Sequence, residues 1–355
     1  MASGAQGFLL APLVGDEEIG ALFTREAELA ALLRFEVALA QAQAHLGLIS
    51  PPAAQTIEQA CHRFQPDWPA LQAGMARDGV IGPSLVAALR GTVGSEHAAS
   101  LHFGATSQDL VDTALALRLK TIARLLDERL AGLVTDLEDL RGHQGGVPQM
   151  AHTRMQAALP FTAGDRLDAW LRPLRRHRAR LAELSPRLLV VQLGGPIGVG
   201  AVPGPAGERL MQELARRLDL APAPAWHSAR DIIVEFGSFL SLLSGSLGKF
   251  GQDIALLAQS EVGAIRLAAG GASSAMAHKS NPVGAEVLVA LARYAAGLAG
   301  TLHQALVHEN ERSGAAWTLE WLTLPQIAVT AGAALRHARS LCADLEFRPY
   351  SSPPP

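Results

Sequence analysis

The stretch TSQDLVDTALALRLKTIARLLDERLAGLVTDLEDLRG, from Thr106 to Gly142, decides how the rest of the chain is read. Val111, Leu115, Leu119, Ile122, Leu126, Leu130, Leu133, Leu137 and Leu140 follow one another in steps of three and four, which places them on one narrow face of a single helix. That helix runs for roughly 45 Å at about 1.5 Å per residue. Thr106 and Asp109 form a capping box at its start, and Gly142, Gly145 and Gly146 supply the stop.

Working outward, a second long pattern starts at Ser228 and runs through Ile232, Phe236, Phe239, Leu243, Leu247, Phe250, Ile254 and Leu257, with Asp231 as its acid at the third position. A third follows the Asn281-Pro282 break and continues to about Arg312. A fourth, Phe161 to Leu193, is interrupted by Pro173 and Pro186 and is expected to be kinked or split. Helices of this length exceed the globular average of about eleven residues and imply an extended bundle. Alternating strand patterns are nearly absent, and Leu189 to Gly204 reads as a Gly-rich connector. The first hundred residues carry shorter helical patterns, Glu26 to Gly47 and Leu71 to Ala76, with turn signals at Pro51-Pro52 and Gly82-Pro83. The expected architecture is all-α: an N-terminal helical domain over 1–105, a long-helix bundle over 106–345, and a tail over 346–355 ending in SSPPP.

Composition bounds the function. Of the 355 residues, 49% are apolar but only 5% aromatic, a mixture that favours helix over strand. A net charge of -3 argues against a nucleic-acid partner. The basic run Arg172 to Arg180 reads as a solvated helix face. Cys61 and Cys342 offer neither a disulfide framework nor a metal clamp, which points to a reducing compartment. The N-terminus lacks the basic region of a secretory signal, and the apolar run Val287 to Leu302 is broken by Arg293 and Tyr294, so neither export nor a membrane span is expected. The expectation is a cytoplasmic protein. GSLGKF (Gly245 to Phe250) is not a P-loop, and GVGAVP lacks the third glycine of a dinucleotide fingerprint. No HExxH occurs, and the pairs His97/His102 and His303/His308 are spaced by five, wrong for neighbouring ligands on a helix. No metal and no cofactor is expected.

Three polar islands interrupt the apolar patterns. HFGATSQDLVDTA (His102 to Ala114) gathers His102, Ser107 and Gln108 at a helix N-terminus, where the dipole favours an anion. AHTRMQ (Ala151 to Gln156) precedes another long helix. GGASSAMAHKSNP (Gly270 to Pro282) joins two apolar patterns and carries Ser273, Ser274, Lys279 and Asn281, more chemistry than a connector needs.

In order and spacing the islands resemble the three signature regions of the fumarase/aspartase superfamily. Ser273, Met276, Lys279 and Asn281 match its Gly-Ser-x-x-Met-x-x-Lys-x-Asn pattern, with Ala272 where glycine is usual and Ala277 where proline is usual. The resemblance covers about residues 95 to 325. It implies a mostly helical subunit, a homotetramer built on a shared bundle, and active sites that each draw their three regions from three subunits. The family's small C-terminal helical domain is expected to be absent or very short.

Within the family, the second region usually carries an arginine and, two residues on, a histidine that protonates the leaving group. Thr153 and Gln156 fit, but His152 stands at the arginine slot and Arg154 at the acid slot. Arginine does not give up its proton near neutrality. The leaving group should therefore need no proton, and a carboxylate, with a pKa of about 4, is such a group. That points to the lactonising branch of the superfamily, which closes a lactone during protocatechuate breakdown. WHSARD (Trp226 to Asp231) and ENERSGAAWTLEW (Glu309 to Trp321) resemble that branch as well. The resemblance implies a small polycarboxylate substrate. Ser273 would serve as general acid, with Lys279 assisting, and His102 would aid binding or proton transfer. Thr106, Ser107, Gln108, Thr153, Arg154, Gln156, Ser274, Asn281 and Arg312 would bind substrate. Which of Ser273 and Ser274 moves the proton stays open. The rival readings are a lyase that releases fumarate and a non-catalytic helical scaffold.

Overall fold

A computed structural model describes residues 9–202, 204–276 and 279–350. The chain opens with α1 (Ala11–Val14), α2 (Glu17–Ala21), α3 (Arg25–His45), α4 (Pro51–Arg63), α5 (Trp68–Asp78) and α6 (Gly82–Val93). Then come α7 (Ser107–Gln144), β1 (Pro148–Thr153), β2 (Gln156–Thr162), α8 (Ala163–Leu188) and α9 (Pro205–Leu218). The rest is α10 (Asp231–Leu257), β3 (Ile265–Leu267), β4 (Gly271–Ala272), β5 (Ser280–Asn281), α11 (Val283–Gln304), α12 (Gly314–Asp344) and β6 (Leu345–Phe347).

The expected all-α bundle is borne out. α7, α8, α10, α11 and α12 pack along one another around a continuous core of Leu, Ile, Phe and Ala. α10 and α11 approach closely because glycine stands at the crossing: a Cβ on Gly248 would lie 2.4 Å from the Ala292 Cβ, and one on Gly251 would lie 2.6 Å from the Ala285 carbonyl. A second core lies under α3–α6, the first turns of α7, and α9. By length and composition α10 and α11 could each cross a membrane, but the apolar window of α10 is 56% buried inside the protein, against 22% for α11. Much of α11's small-residue face is thus left uncovered by its own chain.

Several sequence expectations need correction. α8 is neither split nor ended by Pro173 or Pro186, because its buried stripe of Leu167, Trp170, Leu171, Leu174, Leu181, Leu184 and Leu188 continues past both prolines and holds the helix against α7 and α10. α10 begins at Asp231 rather than Ser228, with Arg230 at the cap turned inward. α11 ends at Gln304 rather than near Arg312; further on, Asn310 takes a left-handed φ of 50° that no helix accommodates. Strands are present too: β1 and β2 form an antiparallel hairpin, β3 pairs with β6, and β4 with β5. The basic run on α8 is solvated as expected, with Arg175 paired to Glu138 at 2.6 Å and Arg178 to Asp127 at 3.0 Å. SSPPP, Ala277 and the first eight residues lie outside the described residues.

Candidate active site

The organising group is Asp109, on the first turn of α7 and wholly buried. Its Oδ1 accepts from the Gly194 N–H at 2.7 Å and from His227 Nε2 at 2.9 Å. Its Oδ2 accepts from the Gly195 N–H at 2.9 Å and the Thr106 N–H at 3.0 Å. The capping box is therefore real, but it is one corner of a larger junction. Gly194 has to be glycine, since a Cβ there would lie 2.8 Å from the His227 ring. Gly195 sits at φ +66°, a conformation that also favours glycine.

Around that junction the site assembles from distant segments. Gln108 donates from Nε2 to the His227 carbonyl at 2.8 Å, and its Oε1 accepts from Arg312 Nε at 2.8 Å. Arg312 also donates to the Pro196 carbonyl at 3.3 Å and reaches Thr106 Oγ1 at 3.5 Å. Ser107 lies against α6, where a Cβ on Gly82 would come within 2.3 Å of its Oγ. Beneath them Arg230 donates to both oxygens of Asp112, at 2.6 and 3.0 Å, and to both of Glu320, at 2.8 and 2.6 Å. Its guanidinium lies over the Trp226 ring at 4.7 Å, and Trp317 Nε1 adds a bond to Asp112 at 3.1 Å. This buried network ties α7, the start of α10 and α12 together. It gives WHSARD and the Trp317 to Glu320 stretch a structural role.

His102 stands just before α7 at φ +60°, its Nδ1 2.5 Å from the Glu36 carboxylate of α3. Burial opposes the charged imidazole, but Glu36 outweighs it and the pKa is raised.

The second island is the β1–β2 hairpin. Arg154 (φ 49°) and Met155 (φ 67°) are its two-residue turn, the primed geometry that suits the twist of paired strands, and Thr153 pairs with Gln156 across it. Thr153, Arg154 and Gln156 are all exposed. The third island is the loop closed at its base by β4 and β5, where Gly271 pairs with Asn281 and Ala272 with Ser280. Gly270 and Gly271 serve close approach rather than flexibility, for a Cβ on Gly271 would meet Val283 at 2.5 Å. Ser273 Oγ accepts the N–H groups of Met276 at 3.1 Å and Ala275 at 3.3 Å, and the Lys279 N–H donates to the Met276 carbonyl at 3.0 Å. Ser274 and Lys279 are exposed, Asn281 half-buried.

One chain does not bring the islands together. Thr106, Ser107, Gln108 and Arg312 meet at the N-terminal end of α7, whereas the hairpin follows its C-terminal end, 38 residues and about 55 Å away. The third island shares the hairpin's end of the molecule, since Gln149 on β1 donates to the Arg348 carbonyl at 2.6 Å and the Ala264 carbonyl at 3.4 Å, beside β3. No hydrogen bond joins one island to another among the described residues. Sequence reasoning missed Glu36 and His227 as site residues and read Asp109 only as a cap. The available signal was polar residues on an apolar stripe: Glu36 and Gln43 alternate with Leu32 and Leu39 on α3.

A family model described as "Lyase" matches residues 16–297, and the chain belongs to that family, part of the fumarase/aspartase superfamily. It is 42% identical over 333 residues to 3-carboxy-cis,cis-muconate cycloisomerase of Pseudomonas aeruginosa, covering 92% of this chain and 72% of that protein. Among solved structures it is similar to the 3-carboxy-cis,cis-muconate lactonizing enzyme of Pseudomonas putida, with TM-score 0.88 and 39% identity over 96% of this chain and 77% of that one. It is also similar to a fumarate lyase from a Mesorhizobium species, with TM-score 0.87 and 35% identity over 94% and 76% of the two chains.

Because Asp109 holds four donors, Asp109→Asn should be far more damaging than its size implies. The amide NH2 would face two donors in a sealed site, at a cost of about 3 kcal/mol. Urea unfolding should show that loss; a loss below about 1 kcal/mol would mean the junction tolerates an unpaired donor.

Proposed function

We propose that the chain is a 3-carboxy-cis,cis-muconate cycloisomerase, forming 4-carboxymuconolactone in protocatechuate breakdown. The observation that carries this reading is Arg154 at the hairpin tip, in the slot where related lyases hold their acid. A guanidinium there can grip a carboxylate with two parallel N–H bonds but cannot protonate a leaving group. Lactonisation needs the first and not the second, and relatives at 42% and 39% identity carry that activity in their names.

In the reaction a substrate carboxylate oxygen adds to a conjugated carbon, so a C–O bond forms and the π bond breaks. The electron pair moves through the α-carbon onto its carboxylate, as an aci-carboxylate. Lys279, Asn281 and the loop N–H groups meet that charge, and the α-carbon then takes a proton from Ser273. The two N–H groups aimed at Ser273 Oγ stabilise the oxyanion that remains, which makes the hydroxyl a better acid. Ser274 has no comparable donors among the described residues, which favours Ser273 of the pair. The other carboxylates fall to Arg154, Arg312 and the polar groups of Thr106, Ser107 and Gln108, with Thr153 and Gln156 beside them. The chemistry calls for no metal or other cofactor.

Four chains assemble so that ends of different subunits meet in each site. Two features support this: the islands are separated by the length of α7, and apolar side chains stand uncovered on the bundle, with Leu242 55% and Tyr294 50% exposed. Free, buried Cys61 and Cys342 suit a reducing cytoplasm.

His152, beside Arg154, keeps one rival in view. Its Nδ1 bonds the Met150 carbonyl at 3.1 Å, so Nε2 is the nitrogen left for proton transfer in a lyase that releases fumarate.

Mixing the protein with 3-carboxymuconate should abolish the absorbance of the conjugated diene. Fumarate from adenylosuccinate or argininosuccinate, with the diene untouched, would establish the lyase instead. Ser273→Ala should lower kcat by about two to four orders of magnitude with the fold intact, the range for loss of an acid–base group; near-normal turnover would remove Ser273 from the proton transfer.

Arg154→Lys keeps the charge and loses the planar fork, so it should raise KM by about tenfold without adding a new pH dependence. Arg154→His should impair lactonisation as well. Wild-type rates in Arg154→His would leave Arg154 a surface charge and end the argument for a cycloisomerase.

A further inference from the structure

The pair formed by Glu36 and His102 has no part in the mechanism above, yet its geometry is that of a built device. Glu36 lies in the middle of α3 and is 1% exposed, a place where a carboxylate is costly without a partner. Its Oε1 meets His102 Nδ1 at 2.5 Å, and its Oε2 is sealed with no partner at all. One histidine therefore answers the whole of a buried negative charge. Two turns further along the same face of α3, Gln43 donates to the Phe103 carbonyl at 2.6 Å, so α3 grips both residues of the turn that precedes α7. The backbone is bent to make this possible: His102 is a non-glycine residue at φ +60°, a conformation that side chains rarely adopt and that persists where surroundings impose it.

The bond through Nδ1 leaves Nε2 as the working nitrogen. The ring is 11% exposed, and Nε2 is neither bonded among the described residues nor sealed from solvent. It stands at the α7 end of the molecule, with Thr106, Gln108 and Arg312, where the proposed trianionic substrate would place a carboxylate. Three charged groups act on the ring: Glu36 of α3, Asp109 of α7, and Arg90 of α6, whose Nη2 is anchored on the Leu101 carbonyl at 3.3 Å. The two carboxylates favour the imidazolium and the arginine opposes it.

We propose that Glu36 is a positioning residue that keeps His102 protonated with Nε2–H turned to the site, so that His102 grips a substrate carboxylate as a cation rather than shuttling a proton. The role assigned to substrate rests on the cycloisomerase reading; the charge state of His102 does not. Because the pKa is raised, the cation is present at low pH and is lost only above the ordinary histidine value of about 6.5.

The test separates the two. In deuterated protein carrying 13Cε1-histidine, the His102 signal, assigned by its loss in His102→Gln, is followed against pH without substrate. It should titrate clearly above pH ~6.5 in the wild type and at least about one unit lower in Glu36→Gln. Kinetically, Glu36→Gln should raise KM about tenfold at pH ~7.5 with kcat within about threefold, and should recover toward wild type near pH ~5, low enough to charge a ring that burial and Arg90 disfavour. A purely structural defect would not be repaired by acid. Glu36→Asp, which keeps the charge, should lie between the two, and it serves as the kinetic arm if Glu36→Gln fails to fold. Titration of wild-type His102 at or below pH ~6.5 would overturn the proposal, as would a KM in Glu36→Gln that is unchanged or raised equally at both pH values. A wild type with the expected titration but no turnover of 3-carboxymuconate would overturn only the cycloisomerase reading.

Discussion

A carboxylate sealed from water is costly unless protein donors meet its lone pairs, and Asp109 meets that demand with donors from three separate segments. Two come from the glycine loop after α8, one from His227 before α10, and one from its own helix start. Each segment is thereby fixed relative to the N-terminus of α7, and Gln108 extends the hold to Arg312 before α12. The Arg230 network repeats the logic a turn further along, with one cation between Asp112 and Glu320. Buried ion clusters add little net stability but penalise any arrangement that leaves one member alone. Their use here is positional, since they set Thr106, Gln108 and Arg312 in one place.

The length of α7 has the opposite effect on the remaining groups. A helix of 38 residues carries its two ends too far apart for any side chain to bridge. The N-terminal cluster of one chain and the hairpin and loop at the far end of the same chain cannot serve one small substrate. On the proposed reading each end of a subunit supplies only part of a site, and the small-residue face of α11 offers a surface along which further copies would pack.

What could be read in the sequence follows from where side chains point. α7 and α10 were legible because each keeps an unbroken apolar stripe, and packing against that stripe also carries α8 through two prolines whose local effect alone would end it. The β1–β2 hairpin was not legible: most of its residues face solvent on both sides, so no alternation is selected, and Arg154-Met155 is not the Asn-Gly turn that would betray it. The closeness of Gln108 and Arg312, 204 residues apart, depends on a loop whose course no periodicity records. Glu36 was hidden differently. A lone acid in a helical pattern looks solvated until the face it occupies is known to be buried.

The central claim is that catalysis needs groups from opposite ends of different copies. It is tested most directly by reassembly from two inactive variants, Gln108→Ala at one end of α7 and Arg154→Ala at the other. Each alone should be nearly inactive toward 3-carboxymuconate. Unfolded together and refolded, hybrid oligomers should regain activity, because some sites then draw both intact groups from different chains, up to about a quarter of wild type for random mixing. If the mixture stays as inactive as its parents while still forming oligomers, each site is built within one chain and the account is wrong.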